Sequence, residues 1–480
     1  MLRGVARTTP AAAPRSAVSL RPAVAAPPAP ADDALRCAHF ASCSGCMLSE
    51  ALHSPPLLSS ATSFFDSFGV RLAFHPGSVT KWRTRARFAV RGSVASPILG
   101  LFEKGSHVVA AIPDCVAHHP RLNEAFDALR CALLEVGCVE PYDERTGAGE
   151  LRYVQASCYG TAGDARVELV LVWNAHAPGG GSSSSSDGAA SLADAASLTA
   201  SLLRLARALV EGSRGDLFGG LWVNWNAARG NAVLGSGGWR DLLLPPAGNG
   251  SAPRWETYGG NAPCAVSVLL PPAAFAQANT RSFDSLLRRV ASLVPRRSRI
   301  VELYAGCGAL GLAALRASDG ISLVCLESTP DAAPAFEAAV RALADSEGGG
   351  AALAARVAPM VVASANDACA IAALFSPPPP SSVDAQASGL AIIVDPPRRG
   401  LDAATLAALC GSLPPLIDDQ AAAVAEAWTL IYVSCGFKAL ARDAAALAAA
   451  GWRVGAADAW CFFPGTDSLE TVVLFTWRHA

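Results

Sequence analysis

Apolar positions along this chain change their period at a few defined points, and those points predict its elements. Leu430-Ile-Tyr-Val433 is a β-rich apolar run that stops at Ser434-Cys435-Gly436 and gives way to an Ala/Leu helical pattern. Leu390 to Val394 is a second run, ending in Asp395-Pro-Pro-Arg-Arg-Gly400. A third, Arg299-Ile-Val-Glu-Leu303, ends in Tyr304-Ala-Gly306-Cys-Gly308 and leads into another helical pattern. Ile321 to Leu326 is a fourth and ends in Glu327. Ahead of these, Phe275-Ala-Gln277-Ala-Asn279 opens a helix with the apolar face Phe283, Leu286, Leu287, Val290 and Val294. Strand, loop and helix in alternation predict an α/β domain with an open sheet over residues 261–480. Such sheets bind ligands outside the carboxyl ends of their strands.

Residues 121–260 predict an α+β domain: a helix from Leu122 to Val136, strands Arg152 to Cys158, Arg166 to Trp173 and Leu221 to Asn226, and a helix from Leu192 to Val210. A Gly/Ser-rich insertion at 177–190 interrupts it, and a second low-complexity insertion begins at Pro377. Neither offers core-forming residues. Within 36–120, Lys81, Arg83, Arg85 and Arg87 alternate with other residues. On a strand they share one face, which predicts a row of cations about 7 Å apart suited to a phosphate backbone.

Composition adds bounds. The chain has 480 residues, 51% apolar, and a net charge of −2. That length suits two or three domains. The charge gives no global basic field, so a nucleic-acid site must be a local patch. No apolar run is long enough to predict a membrane span. Residues 1–35 are expected to be a leader, since Arg3, Arg7, Arg15 and Arg21 stand among Ser, Thr, Ala and Pro, with no acid before Asp32. This is the composition of an organellar transit peptide, plastid or mitochondrial, with the cytoplasm as the alternative. No stable protein partner is implied, and a monomer is expected.

Three cysteines, Cys37, Cys43 and Cys46, lie within one short loop, and Cys115 follows in the turn Ile112-Pro-Asp-Cys115. Thiolates so spaced can converge on one soft metal centre, an iron–sulfur cluster or a structural zinc. His118 and His119 are alternative fourth ligands. The glycines Gly306 and Gly308 let the backbone approach a ligand, and Glu327 stands about 20 residues on, where ribose hydroxyls are bound. The loop lacks G-x-G-x-x-G spacing, so S-adenosylmethionine fits better than a dinucleotide. Asn366, after a further strand, is expected near the adenine.

Taken in order, these motifs resemble the RNA 5-methyluridine methyltransferases. The resemblance runs from Cys37 to the C-terminus outside the two insertions. It is carried by the cysteine motif, Arg83-x-Arg-x-Arg-Phe, Phe275-x-Gln277-x-Asn, Leu-Tyr304-x-Gly-x-Gly, Asp395-Pro-Pro-Arg-x-Gly, Tyr-Val-Ser-Cys435 and Phe-Pro-x-Thr…Glu470-Thr-Val. It implies a Rossmann-like S-adenosylmethionine methyltransferase domain acting on uracil in RNA. Cys435 is then the nucleophile and Glu470 the base. Gln277, Tyr304, Glu327 and Asp395 line the cofactor site, and Cys37, Cys43, Cys46 and Cys115 hold a 4Fe–4S cluster. The shorter ribosomal-RNA type without an N-terminal β-barrel is the nearest. A transfer-RNA enzyme and a non-catalytic RNA-binding assembly factor are the alternatives. Ala309, Gly465 and Ser468 depart from the family's usual residues.

The implied chemistry has stated requirements. A thiolate adds to carbon 6 of uracil and so activates carbon 5, and a base then removes the carbon-5 proton. The helix after Gly436 or a neighbouring cation is expected to favour the thiolate. The cluster has no step in this redox-neutral sequence and is expected to hold the N-terminal RNA-binding region together.

Overall fold

The computed structural model describes residues 34–160, 163–177, 199–230, 232–242, 254–272, 274–376, 387, 389–411 and 427–477. The expected leader, apart from its last two residues, most of the first insertion and the start of the second lie outside these residues.

In chain order the elements begin with α1 (Pro56–Asp66) and β1 (Leu72–His75). β2 (Arg85–Ser93), β3 (Ser96–Phe102), β4 (Val109–Ala111), α2 (Pro120–Val136), β5 (Leu151–Tyr159), β6 (Arg166–Trp173), α3 (Ala200–Glu211), β7 (Phe218–Trp225) and β8 (Trp239–Asp241) follow. β9 (Trp255–Tyr258) and β10 (Val266–Leu269) form a hairpin ahead of α4 (Thr280–Leu293). Then come β11 (Arg299–Leu303), α5 (Ala309–Ser318), β12 (Ser322–Glu327), α6 (Ala332–Ala344), α7 (Gly350–Ala354) and β13 (Val361–Val362). The last part holds α8 (Ala368–Phe375), β14 (Gly389–Val394), α9 (Ala403–Cys410), β15 (Ala427–Ser434), α10 (Phe437–Ala449), β16 (Arg453–Trp460) and β17 (Glu470–Trp477).

Two sheets carry the architecture. Strands β2 to β8 form one, in the order β4-β3-β2-β5-β6-β7-β8. The basic segment and the central segment therefore share a sheet. α2 and α3 bury their apolar stripes on one face of it, where Leu122, Phe126, Leu129, Leu205 and Leu209 meet Phe88, Val154, Leu169 and Leu171. The other sheet runs β1-β16-β17-β15-β14-β11-β12-β13. β1 lies parallel to β16, so the segment 72–75 joins the C-terminal domain rather than its chain neighbours.

The second sheet is the expected Rossmann-like one, with helices on both faces. Along β15, Ile431 and Val433 enter one apolar cluster while Leu430 and Tyr432 enter the other. A strand buried on both faces reads as an unbroken apolar run, which is what Leu430 to Val433 shows. β11, β12, β14 and β15 are parallel, whereas β17 is antiparallel to β15. That reversal has a consequence for the site. The amino end of β17, where Glu470 sits, comes level with the carboxyl end of β15, because Thr471 pairs with Ser434.

One buried carboxylate ties this edge together. Asp443 of α10 is 0% exposed and accepts from Leu401 N at 2.9 Å, Tyr432 Oη at 2.9 Å and Arg442 Nε at 2.8 Å. It thus joins the loop after β14, strand β15 and helix α10. Asp443→Ala leaves buried donors without an acceptor and is expected to destabilise the fold by about 2–5 kcal/mol. Urea denaturation followed by circular dichroism measures this, and a change under about 0.5 kcal/mol is the contrary result.

Candidate active site

The carboxyl ends of β11, β12, β14 and β15 bring most of the expected residues to one edge. β11 ends at Tyr304, which holds a left-handed backbone (φ 60°) and whose Oη accepts from Asp402 N at 3.0 Å. A non-glycine residue in that region costs of order 1–3 kcal/mol and is typical of functional sites. Gly306 N donates to Glu327 Oε2 at 3.0 Å across the glycine loop. Thr329 N and Ser328 Oγ donate to Glu327 Oε1 at 2.9 and 3.1 Å. Burial opposes ionisation of Glu327, but these hydrogen bonds outweigh it and hold the carboxyl below its ordinary range. An ionised carboxylate at the end of β12 is a suitable acceptor for ribose hydroxyls. Gln277 lies half-buried just before α4, and Asn366 is exposed with its Oδ1 accepting from Ala404 N at 3.1 Å.

Cys435 follows β15 directly and is half-buried, as are Asp395 and Glu470. The three are mutual electrostatic neighbours, and Arg398 faces both Cys435 and Glu470. Burial pushes Asp395 up to about 7. Burial and then Asp395 push Glu470 well above the carboxylate range, with Arg398 opposing. Burial, Glu470 and Asp395 push the Cys435 thiol up to about 11, against Arg398 and its own backbone N–H. The expected depressed thiol is therefore corrected. A cation and a helix start are both present, but desolvation and two acidic neighbours outweigh them.

The sharp turn that a glycine after Cys435 suggests is not what Gly436 supplies. Its φ is −130°, which any residue adopts, so no sharp turn calls for glycine. A Cβ here would lie 2.5 Å from Arg398 O. Glycine lets the Asp395–Gly400 loop press directly on the strand end that carries Cys435.

Three contributors were not singled out from the sequence. Glu302 in the middle of β11 is 2% exposed and accepts from Gly311 N at 2.9 Å and Cys325 Sγ at 3.4 Å. It staples the first turn of α5 to the strand under the glycine loop, and burial pushes its carboxyl up to about 8. The available signal was an acidic residue inside an otherwise apolar run. Arg398 was visible as part of a motif, but its place beside Cys435 needs the loop's path. Asp443 carried no signal beyond lying in an Ala-rich helix.

The cysteine set is brought together across distant segments. Cys46 faces Cys115, Cys43 and Cys37, and all four are free thiols. Gly45 N donates to Cys43 Sγ at 3.2 Å. Arg83 lies against Cys115 and Cys46. Among the described residues, no group of three or more His, Cys, Asp or Glu is drawn together tightly enough to hold a metal ion. His118 does not join the set as an exposed donor. It is 4% exposed, hydrogen-bonds Asn123 Oδ1 at 3.0 Å, and burial pushes it down to about 4.

The expected row of cations is overturned. Lys81 has a left-handed backbone (φ 55°), and β2 begins only at Arg85. Arg83 turns to the cysteines, its guanidinium 4.6 Å from the Trp82 ring centre. Arg85 is 8% exposed and donates to Ala274 O at 2.8 Å. Lys81 and Arg87 remain exposed, and Arg87 Nε bonds Gln155 Oε1 at 2.7 Å. A period of two assigns residues to a common face but cannot tell whether another domain packs on that face.

One edge of the Rossmann-like sheet therefore carries a glycine loop bonded to a carboxylate and, beside it, a cysteine with two carboxyls. Comparisons with known proteins agree. An RNA methyltransferase of Protochlamydia amoebophila is 29% identical over 443 residues, covering 92% of this chain and 97% of that one. The 23S rRNA (uracil(747)-C(5))-methyltransferase of Halothiobacillus neapolitanus is 24% identical over 85% of this chain and 88% of its own. Among solved structures, the Pyrococcus abyssi tRNA (uracil-54, C5)-methyltransferase in complex with S-adenosyl-L-homocysteine shares the fold. Its TM-score is 0.56 at 17% identity, over 86% of this chain and 81% of that one. No family model matches the chain. The resemblance read from the motifs is borne out: this chain is similar to RNA methyltransferases along most of its length.

A thiol near 11 is almost wholly protonated at neutral pH in the ligand-free protein. Alkylation of Cys435, followed by peptide mass spectrometry, is expected to accelerate roughly tenfold per pH unit between pH 7 and 10. A rate already level at pH 8 is the contrary result and indicates a depressed thiol.

Proposed function

We propose that this protein methylates carbon 5 of a uracil in RNA, with large-subunit ribosomal RNA the favoured substrate, through a covalent adduct on Cys435. The observation that carries this reading is the meeting of Cys435, Glu470, Asp395 and Arg398 at the sheet edge that holds the glycine loop. The named ribosomal-RNA relative, covered nearly end to end, supports the substrate class.

S-adenosylmethionine, when bound, supplies an electrophilic methyl group beside these residues. Glu327 is the acceptor for its ribose, and Tyr304 and the Gly306–Gly308 turn shape the cleft around it. Gln277 and Asn366 are assigned to the same cleft. Cys435 and the two carboxyls ionise more readily once a cation joins Arg398, and the sulfonium is one. Cys435 gives its proton to solvent and Sγ bonds carbon 6 of uracil; carbon 5 of the resulting enolate then takes the methyl as its bond to the sulfonium sulfur breaks, and S-adenosylhomocysteine is the leaving group. Glu470 then accepts the carbon-5 proton, the bond between sulfur and carbon 6 breaks, and the thiolate is restored. The target base must leave its stack to reach this depth. Phe275 beside Gln277 is 80% exposed, and with Lys81 and Arg87 it offers stacking and phosphate contact to a single strand. The composition of the leader supports action in an organelle.

Cys37, Cys43, Cys46 and Cys115 are proposed to hold a 4Fe–4S cluster. The donor chemistry fits: four thiols, an N–H directed at one sulfur, and a guanidinium beside two others. No residue of the methyl-transfer sequence exchanges an electron with it.

Cys435→Ala is expected to abolish both methyl transfer and adduct formation while S-adenosylmethionine still binds. Glu470→Gln is expected to slow turnover by about 10²–10⁴-fold and to accumulate protein joined to RNA, visible as a nuclease-sensitive slow band on a denaturing gel. Normal turnover in either variant removes that residue from its role. Assay of ribosomal and transfer RNA in parallel separates the two substrate classes.

Protein purified without oxygen is expected to be brown, with absorbance from thiolate-bound iron. Replacing any one of Cys37, Cys43, Cys46 and Cys115 by Ser should bleach it, whereas Cys131→Ser and Cys307→Ser should not. Zinc in place of iron in such preparations overturns the cluster.

A further inference from the structure

The cysteine loop does not serve only its own region. Met47 N and Leu48 N, directly after Cys46, both donate to Gly465 O, at 2.7 and 2.9 Å. Gly465 has φ 92°, and a Cβ on it would lie 3.3 Å from Cys46 Sγ and 3.4 Å from Cys46 Cβ. Leu57 N, at the start of α1, donates to Asp467 Oδ1 at 2.7 Å. Arg83, which faces the Cys46 and Cys115 thiols, also covers the Phe463 ring at 5.6 Å, and Trp82 packs edge-on against that ring at 5.7 Å. From the opposite side, Asn279 Nδ2 donates to Phe462 O at 2.8 Å. All these contacts fall on the segment that leads straight into Glu470.

We propose that the cysteine-bearing loop is the positioning element for Glu470: it grips residues 463–467 and so aims the carboxylate that begins β17. Cysteine ligation then acts on the proton-abstraction step through the backbone of Met47 and Leu48, with no electron transferred. The departure of Gly465 from the family's usual polar residue takes its meaning here, since the position abuts Cys46 Sγ. This inference rests on Glu470 being the base.

Loosening the grip must affect the last step selectively. Bonding of Cys435 to carbon 6 and transfer of the methyl group leave the base idle. Removal of the carbon-5 proton, which releases the thiolate, requires Glu470 in place. Gly465→Ala inserts a methyl group against Cys46 at a positive φ. It is expected to lower turnover tenfold or more, keep the brown colour, and accumulate the methylated covalent protein–RNA complex. Asp467→Ala should do the same more weakly, and Asp467→Asn, which keeps the acceptor for Leu57 N, should restore turnover.

Glu470→Gln is run alongside as the reference. If it traps the complex while Gly465→Ala and Asp467→Ala lose turnover without trapping, or lose none, the grip has no part in aiming the base. If Glu470→Gln itself traps nothing, the assignment of the base fails, and this inference with it. Equal effects of Asp467→Asn and Asp467→Ala also overturn it. Should Gly465→Ala not fold, the Asp467 pair decides alone.

Discussion

The close approach of the Arg398 backbone to Gly436 is the constraint on which the site depends. It holds the loop after β14 against the end of β15, so that Asp395 and Arg398 share the neighbourhood of Cys435. Asp443 makes that approach durable by accepting hydrogen bonds from the loop, the strand and the helix at once. Leu401 N and Tyr432 Oη are buried, and a buried donor without an acceptor costs more than an ordinary hydrogen bond contributes. The loop therefore has one low-energy position rather than several.

The electrostatics of this cluster follow from its crowding. Three acidic groups, Cys435, Asp395 and Glu470, crowd one another with Arg398 facing Cys435 and Glu470, and burial raises each of the three. In the ligand-free protein Cys435 is held as a thiol, which limits adventitious oxidation and alkylation. A cation entering beside Arg398 would lower all three groups, which is the direction the proposed reaction requires.

The N-terminal part of the chain is interwoven with this edge rather than appended to it. β1 extends the methyltransferase sheet through β16, and the cysteine loop meets the segment before Glu470. The seven-stranded sheet touches the same domain through Arg85 and through Thr84, which donates to Ala278 O at 2.7 Å. Those contacts lie on either side of Gln277, so the segment that carries it is held by both domains.

Much of this was determined by the sequence alone. Apolar runs ending in Asp395, Tyr304, Glu327 and Cys435 marked strands whose carboxyl ends converge, because in a parallel sheet every strand delivers its last residue to the same edge. The cysteine spacing likewise marked thiols that the fold makes electrostatic neighbours, without drawing them into a metal-holding group among the described residues. The tertiary structure decided what periodicity cannot express. It turned Arg83 and Arg85 inward, because a strand face is the same in sequence whether water or another domain covers it. It raised the Cys435 thiol, because a pKa depends on burial and on neighbours distant in the chain. It assigned Gly436 to close packing instead of a turn, and it placed the cysteine loop against Gly465, in the segment that precedes Glu470. The last of these joins residues more than four hundred positions apart. Local pattern holds no record of such a contact, since only the folded path brings the two segments within hydrogen-bonding distance.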